Sequence, residues 1–208
     1  MNVSDPAFPI RQAADRFAPY VPRLQAVFSA MDLAYVEVAG TYRFRCSGCE
    51  DNCCRTRFHH HTYLEFFYLH HGWEKLEKQR REILMSRADD VCRAMDALAP
   101  GRDTHRRMCP LNVDGLCELY EHRPMICRLH GIPHVLQRPD GRKTTGSGCD
   151  AFHRHYGDRS DAVLERTPHY GALAALEQEF RRTVGLADKL KMTVAEMIVR
   201  FTFLCITH

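Results

Sequence analysis

The sequence predicts a mainly α fold, with helices wrapped around a loop-rich, metal-stabilised cysteine-cluster centre and little β structure. Three observations carry this. Over 73–98, Leu76, Ile83, Leu84, Ala88, Val91, Met95 and Leu98 return at close to helical spacing, while charges alternate in sign on the other face. Two capping boxes, Thr62-Tyr-Leu-Glu65 and Thr193-Val-Ala-Glu196, mark helix starts before apolar runs. Eight of the ten cysteines crowd into Gly- and turn-rich chain that suits neither helix nor strand.

Taken in order, residues 1–18 read as a loosely held arm, because Pro6, Pro9 and Pro19 interrupt any early helix. A first helix is expected over 20–33. The segment from Tyr35 to Arg45 alternates at its ends as a short strand or extended segment should. It leads into the first cysteine loop. Thr62 then caps a helix from Tyr63 to Gly72, and the long amphipathic helix follows until Pro100-Gly101 ends it. Turn signals at Asp114-Gly115, Asp140-Gly141 and Gly146-Ser147-Gly148 make 105–150 loop-rich, with a small hairpin within HVLQRPDGRKTTG. Two helices close the chain, near 168–184 and 193–205. The second carries an apolar stripe of Val194, Met197, Ile198, Phe201 and Cys205. These elements divide into an N-terminal arm and helix (1–40), a cysteine-cluster domain with a helical insertion at 62–98 (41–155), and C-terminal helices (156–208), forming one unit.

A formal net charge of +3, with no Lys/Arg block, argues against a nucleic-acid partner. The N-terminal residues lack the basic start and apolar core of a signal peptide, and no run reaches the length of a membrane helix. The expectation is a cytoplasmic protein, where thiols stay reduced and dense cysteines signal metal more than disulfides.

The metal-ligand candidates are Cys46, Cys49, Cys53 and Cys54 in the run CSGCEDNCC, with Cys109, Cys117, Cys127 and Cys149 downstream. Thiolates are soft ligands that favour zinc, copper(I) or iron–sulfur clusters. Three cysteines spaced as Cys46-x2-Cys49-x3-Cys53 can cap a [4Fe–4S] cube, and the same loop with Cys54 can also close a zinc site. Adjacent Cys53 and Cys54 do not readily point into one small tetrahedron. The downstream group has no zinc-ribbon or zinc-finger spacing, so its ligands must be gathered by the fold.

The succession FRCSGCEDNCC … CPLNVDGLCELYEHRPMICRLHG … GC, from about Phe44 to Cys149, resembles the YkgJ-like cysteine-cluster family of zinc- or iron-chelating domains. It departs from the family in one place: Glu50-Asp51-Asn52 puts three residues between the second and third cysteines instead of two. In that respect the first motif is similar to flagellin lysine N-methylases. The resemblance implies metal binding and says little about the reaction.

Arg123 and Arg128, in the same phrase, are candidates to donate to thiolates or to offset their charge, with surface salt bridges as the alternative. Pro124 suits the first turn of a short helix. Among the thirteen histidines, His59, His60 or His61 and His130 lie close enough in sequence to the cysteines to serve as ligands. His70 and His71 suit a helix C-terminus without any further role. Cys92 and Cys205 fall on apolar helix faces and read as core, as do Tyr63, Phe66, Phe67, Tyr68 and Trp73.

These features predict a metal-binding protein carrying an iron–sulfur cluster, [4Fe–4S] first and zinc as the alternative. Its role would be redox or group transfer toward an unknown protein or small-molecule substrate. A non-catalytic zinc-binding structural or interaction module is the rival. No catalytic residue is assigned; Cys54, with Arg55 or His59 to tune it, is the first thiol to test for chemistry.

Overall fold

Within the segment read as a loose arm, residues 8–15 are helical. In the structure, a computed structural model that describes residues 8–46, 53–97 and 107–204 (without the side chains of residues 8, 9 and 53), α1 spans Phe8–Asp15. Pro9 sits in the first turn, where its missing N–H has no intrahelical partner to lose. Ala13 and Phe17 are buried, the Phe17 ring lying 5.6 Å from Phe67 and 6.3 Å from Phe180.

A second correction concerns the expected strand at 35–45. Helix α2 (Val21–Thr41) takes residues 35–41 of it instead. Leu24, Phe28, Met31 and Ala39 keep helical spacing and are buried, so burying one continuous stripe outweighs the local alternation of Val36 and Val38. The helix ends before Arg43, which takes a left-handed φ of 53°.

Helix α3 (Tyr63–Trp73) lies at the centre of the molecule, with all but His70 and His71 of its residues buried, including the whole expected aromatic run. A helix apolar on every side must be covered on every side. Its N-terminus is more elaborate than a capping box. The Thr62 hydroxyl accepts from the Glu65 N–H at 3.1 Å, but the Glu65 carboxylate turns away from the cap backbone. It accepts from the Thr62 hydroxyl at 2.7 Å and from the Met125 N–H at 2.9 Å. The Tyr63 and Leu64 N–H groups donate to Glu177, at 3.0 and 3.1 Å. Two buried carboxylates thus meet the positive end of the helix dipole and tie α3 to distant chain.

Helix α4 (Lys78–Asp96) forms within the expected amphipathic stretch and packs on α8 (Val194–Arg200), burying Leu84 and Ala88 but leaving Ile83 of the expected apolar face exposed. The capping box of α8 forms in both directions, Glu196 N–H to Thr193 Oγ1 at 3.3 Å and Thr193 N–H to Glu196 Oε2 at 2.6 Å. Its stripe of Val194, Met197, Ile198 and Phe201 is buried; Cys205 lies outside the described residues, as does Pro100-Gly101. Helix α7 (Thr167–Val184) covers the expected 168–184.

The centre is richer in small strands than expected. Strands β1 (Asn112–Val113) and β2 (Leu116–Cys117) form a hairpin whose two-residue loop, Asp114 and Gly115, has φ of 51° and 87°. Positive φ at both loop positions is the type I′ turn that Asp-Gly favours. The predicted hairpin appears as β3 (Pro133–Gln137) and β4 (Lys143–Ser147). Short helices α5 (Met125–Leu129) and α6 (Asp150–Tyr156) flank it. Strand β5 (Leu164–Glu165) adds in parallel to β3, giving the order β4-β3-β5. Two residues of strand are too few to leave a period in the sequence. The fold is mainly helical with little sheet, as expected.

Candidate metal centre

Cys46, Cys54, Cys109, Cys117 and Cys127 line one cavity of about 120 Å³. That is several times the roughly 10–15 Å³ one water requires. Cys46 is exposed and follows the end of α2, while the other four thiols arrive on local devices of their own. Cys54 lies in a 3₁₀ turn, Cys53–Arg55, and its carbonyl accepts from the Cys109 N–H at 2.8 Å, which splices the two halves of the cysteine pattern together. From Cys109 the chain turns at once, with the Asn112 N–H donating to the Cys109 carbonyl at 3.0 Å, and enters the β1–β2 hairpin that presents Cys117. Cys127 sits in α5, which Pro124 precedes as its N-cap, one position earlier than the first-turn place expected for it.

Burial dominates the electrostatics of three of these thiols, Cys109, Cys117 and Cys127. It pushes Cys117 up to about 11 and holds Cys109 and Cys127 well above the ordinary thiol range. Their charges also act on one another: Cys54 and Cys127 raise Cys109, and Cys54 raises both Cys117 and Cys127. Two backbone donors oppose this. The N–H of Leu111 bonds the Cys109 sulfur and the N–H of Leu119 bonds that of Cys117, each favouring the thiolate. Amide-to-thiolate bonds of this kind, together with the soft donor set, suit thiolates that bind metal. Among the described residues, no three His, Cys, Asp or Glu side chains converge on a single point as ligands of one ion would.

The rest of the wall is apolar, with Phe58, Val91, Met95, Leu111 and Leu116, and basic, with Arg55, Arg57, Arg107 and Arg123. Arg123 lowers the pKa of Cys117 and Cys127, and its guanidinium stacks 3.5 Å from the Tyr120 ring centroid. Its charge acts on both thiols in the direction expected of it. Arg128 is engaged elsewhere. Its guanidinium pairs with Asp32 at 2.5 Å, donates to the Arg123 carbonyl at 2.8 Å and to that of Glu121, and covers the Phe28 ring. Arg128 therefore braces the loop that carries Arg123 and touches no thiol of the cavity.

The remaining candidates distribute as follows. Cys49 lies outside the described residues, and Cys53 is described in its backbone alone. Cys149 is the N-cap of α6 and stands by Gly131, apart from the cavity wall. Cys92 packs against the core from α4, as expected. In the histidine triplet, His60 is buried and lines the cavity, while His61 is exposed and His59 half-buried. The buried carboxylates Glu65 and Glu177, which set the neighbouring helix N-terminus, left no sequence signal beyond their place in capping and amphipathic patterns.

His130 stacks edge-on against Phe58 with ring centroids 5.1 Å apart and is not part of the cavity wall. Burial, aided by Arg166 and His134, depresses its pKa from 6.5 to about 4. A depressed folded pKa means that the unfolded chain takes the proton first, so stability present above pH 6.5 is lost as pH falls toward 4. The shift corresponds to on the order of 3 kcal/mol. Urea denaturation of wild type is expected to weaken steadily from pH 6.5 to 4.5, and His130→Phe to show a shallower acid limb. Parallel acid limbs in the two proteins would contradict this assignment.

Among the described residues, no helix is long and apolar enough to cross a membrane. No protein-family model matches the chain, and no curated protein or solved structure is similar to it.

Proposed function

We propose that the cavity holds an iron–sulfur cluster, with ligands drawn from Cys46, Cys54, Cys109, Cys117 and Cys127, and that the chain serves a redox role toward an unknown protein or small-molecule partner. The observation that carries this reading is the meeting of five patterned cysteines, from four separated stretches of chain, around one cavity of about 120 Å³. A lone zinc ion needs its donors drawn to one point at about 2.3 Å. A cluster adds inorganic iron and sulfide, which themselves occupy space, and so suits thiols standing around a void. The resemblance of the cysteine phrase to the YkgJ-like family supports metal binding independently of the geometry.

When bound, such a cluster supplies one-electron transfer at a potential set by hydrogen bonds to sulfur and by solvent access. The chain's own residues do the rest. The Leu111 and Leu119 N–H groups stabilise thiolates, Arg123 offsets negative charge, and Phe58, Met95 and Leu111 keep water from the wall. The second reading, a non-catalytic zinc module, is favoured by the shortness of the elements between 107 and 127: a metal there would hold them against α4 and α8. Metal binding of order 10 kcal/mol suffices for that.

Anaerobic purification with metal and acid-labile sulfide analysis tests both. The expected product is brown, contains iron and sulfide, and bleaches in air. Colourless protein with stoichiometric zinc transfers the case to the structural module, and protein without either metal refutes both.

A further inference from the structure

His60 is 2 % exposed, lines the thiol cavity, and neither of its ring nitrogens has a hydrogen-bond partner among the described residues. A neutral imidazole always carries one N–H and one lone pair, and burying both unpaired costs about 1–3 kcal/mol for each group. Such a ring is stable when something else in the folded protein takes up its nitrogen. The Glu65 carboxylate stands near it, its Oε1 lying 3.9 Å from Nδ1, beyond hydrogen-bond distance. That carboxylate is already engaged by the Thr62 hydroxyl and the Met125 N–H, two residues before Cys127.

The backbone selects this histidine from its triplet. His60 forms an antiparallel bridge with Met192, its N–H donating at 2.7 Å and its carbonyl accepting at 3.0 Å. In extended chain, neighbouring side chains point to opposite faces. Pinning residue 60 inward therefore turns its neighbours away from that face: His61 is exposed and His59 half-buried. The bridge also sets His60 beside the start of α8, whose Thr193, Val194 and Ala195 share the cavity wall.

We infer that His60 supplies a nitrogen ligand, through Nε2, to the metal that the cavity thiolates hold, with Nδ1 facing the Glu65 carboxylate. The inference rests on the metal-binding reading above and adds to it a mixed sulfur–nitrogen ligand set. Carboxylate–histidine–metal arrangements use the ring in this way, the carboxylate fixing its orientation. Neutral imidazole in place of an anionic thiolate lowers the negative charge of the site and makes its reduction easier.

The test is pulsed electron paramagnetic resonance on full-length protein labelled with ¹⁵N-histidine, purified anaerobically. The reduced form is used if the protein carries iron, and the cobalt-substituted form if it carries zinc. Wild type is expected to show a ¹⁵N hyperfine coupling, retained in His59→Ala and His61→Ala. His60→Cys keeps a donor and a folded site, so it should retain metal, lose the coupling and, with iron, shift to a lower reduction potential. His60→Ala should lower metal affinity at least tenfold. Metal without a histidine coupling in wild type overturns the inference and leaves the metal-binding reading intact, as does a coupling that survives His60→Cys. Wild type with no metal overturns the underlying reading, and the inference with it.

Discussion

On the metal-binding reading proposed above, replacing Cys127 by serine is expected to strip the protein of most of its metal, whereas Cys92→Ser should leave metal content unchanged. Both residues are cysteines on helices with raised thiol pKa values, Cys92 pushed up to about 11 by burial and by Glu196, Asp96 and Asp89. What separates them is company. Cys127 shares the cavity with Cys54, Cys109 and Cys117 and feels the charges of Cys117 and Cys54, while Cys92 packs against the apolar core. Serine is a hard, weakly acidic oxygen donor that replaces a soft thiolate poorly. At position 92 it costs packing and a partly buried hydroxyl, about 1 kcal/mol. Metal analysis of anaerobically prepared variants, alongside circular dichroism to verify folding, reads the contrast. Full metal in Cys127→Ser, or its loss from folded Cys92→Ser, would show that cavity membership does not identify the ligands.

Arg128→Leu should destabilise the protein by about 3 kcal/mol, because removing one partner of a buried, hydrogen-bonded charge leaves the others unsatisfied. The leucine fills part of the space over Phe28 but leaves the Glu121 and Arg123 carbonyls without their donor. For a domain of this size such a loss lowers Tm by roughly 6–12 °C. Asp32→Asn should cost about 1 kcal/mol or less, since Asp32 keeps much of its side chain in water. Thermal melts of both variants make the comparison. Equal losses would mean that the ion pair, not the two carbonyls, is what Arg128 provides. The loop braced by Arg128 carries Arg123 and follows Cys117, so the same variant should bind metal more weakly, as loop order and site order are coupled.

Much of the helical frame was legible in the sequence, and the reasons are local. Thr62 and Thr193 announce their helices because a hydroxyl at an N-cap satisfies an otherwise orphaned N–H within three residues. The hairpin of β3 and β4 and the turn at Asp114-Gly115 are equally local, depending on residues that accept turn geometry. The errors at α1 and α2 share one cause. Pro9 and the alternating run at 35–45 are short-range signals, and both yielded to apolar stripes that continue across them into a common core.

The candidate site divides along the same line. The sequence alone determined which chemistry is on offer: ten cysteines, eight of them patterned, beside loops that regular structure does not claim. It could not determine which thiols meet. Cys54 and Cys109 are fifty-five positions apart, and it is the hydrogen bond between their backbones that brings them to one wall. Nor could spacing choose among three adjacent histidines, which are identical until the bridge to Met192 turns the middle one inward. Arg123 and Arg128 lie five residues apart in one phrase, yet one faces the thiols and the other is consumed by carbonyls and Asp32. Residue type sets what a side chain can do, through its charge, softness and hydrogen-bonding groups. Which way it faces, and whether water or another ligand satisfies it, depends on long-range backbone pairing and burial, and only the tertiary structure decides that.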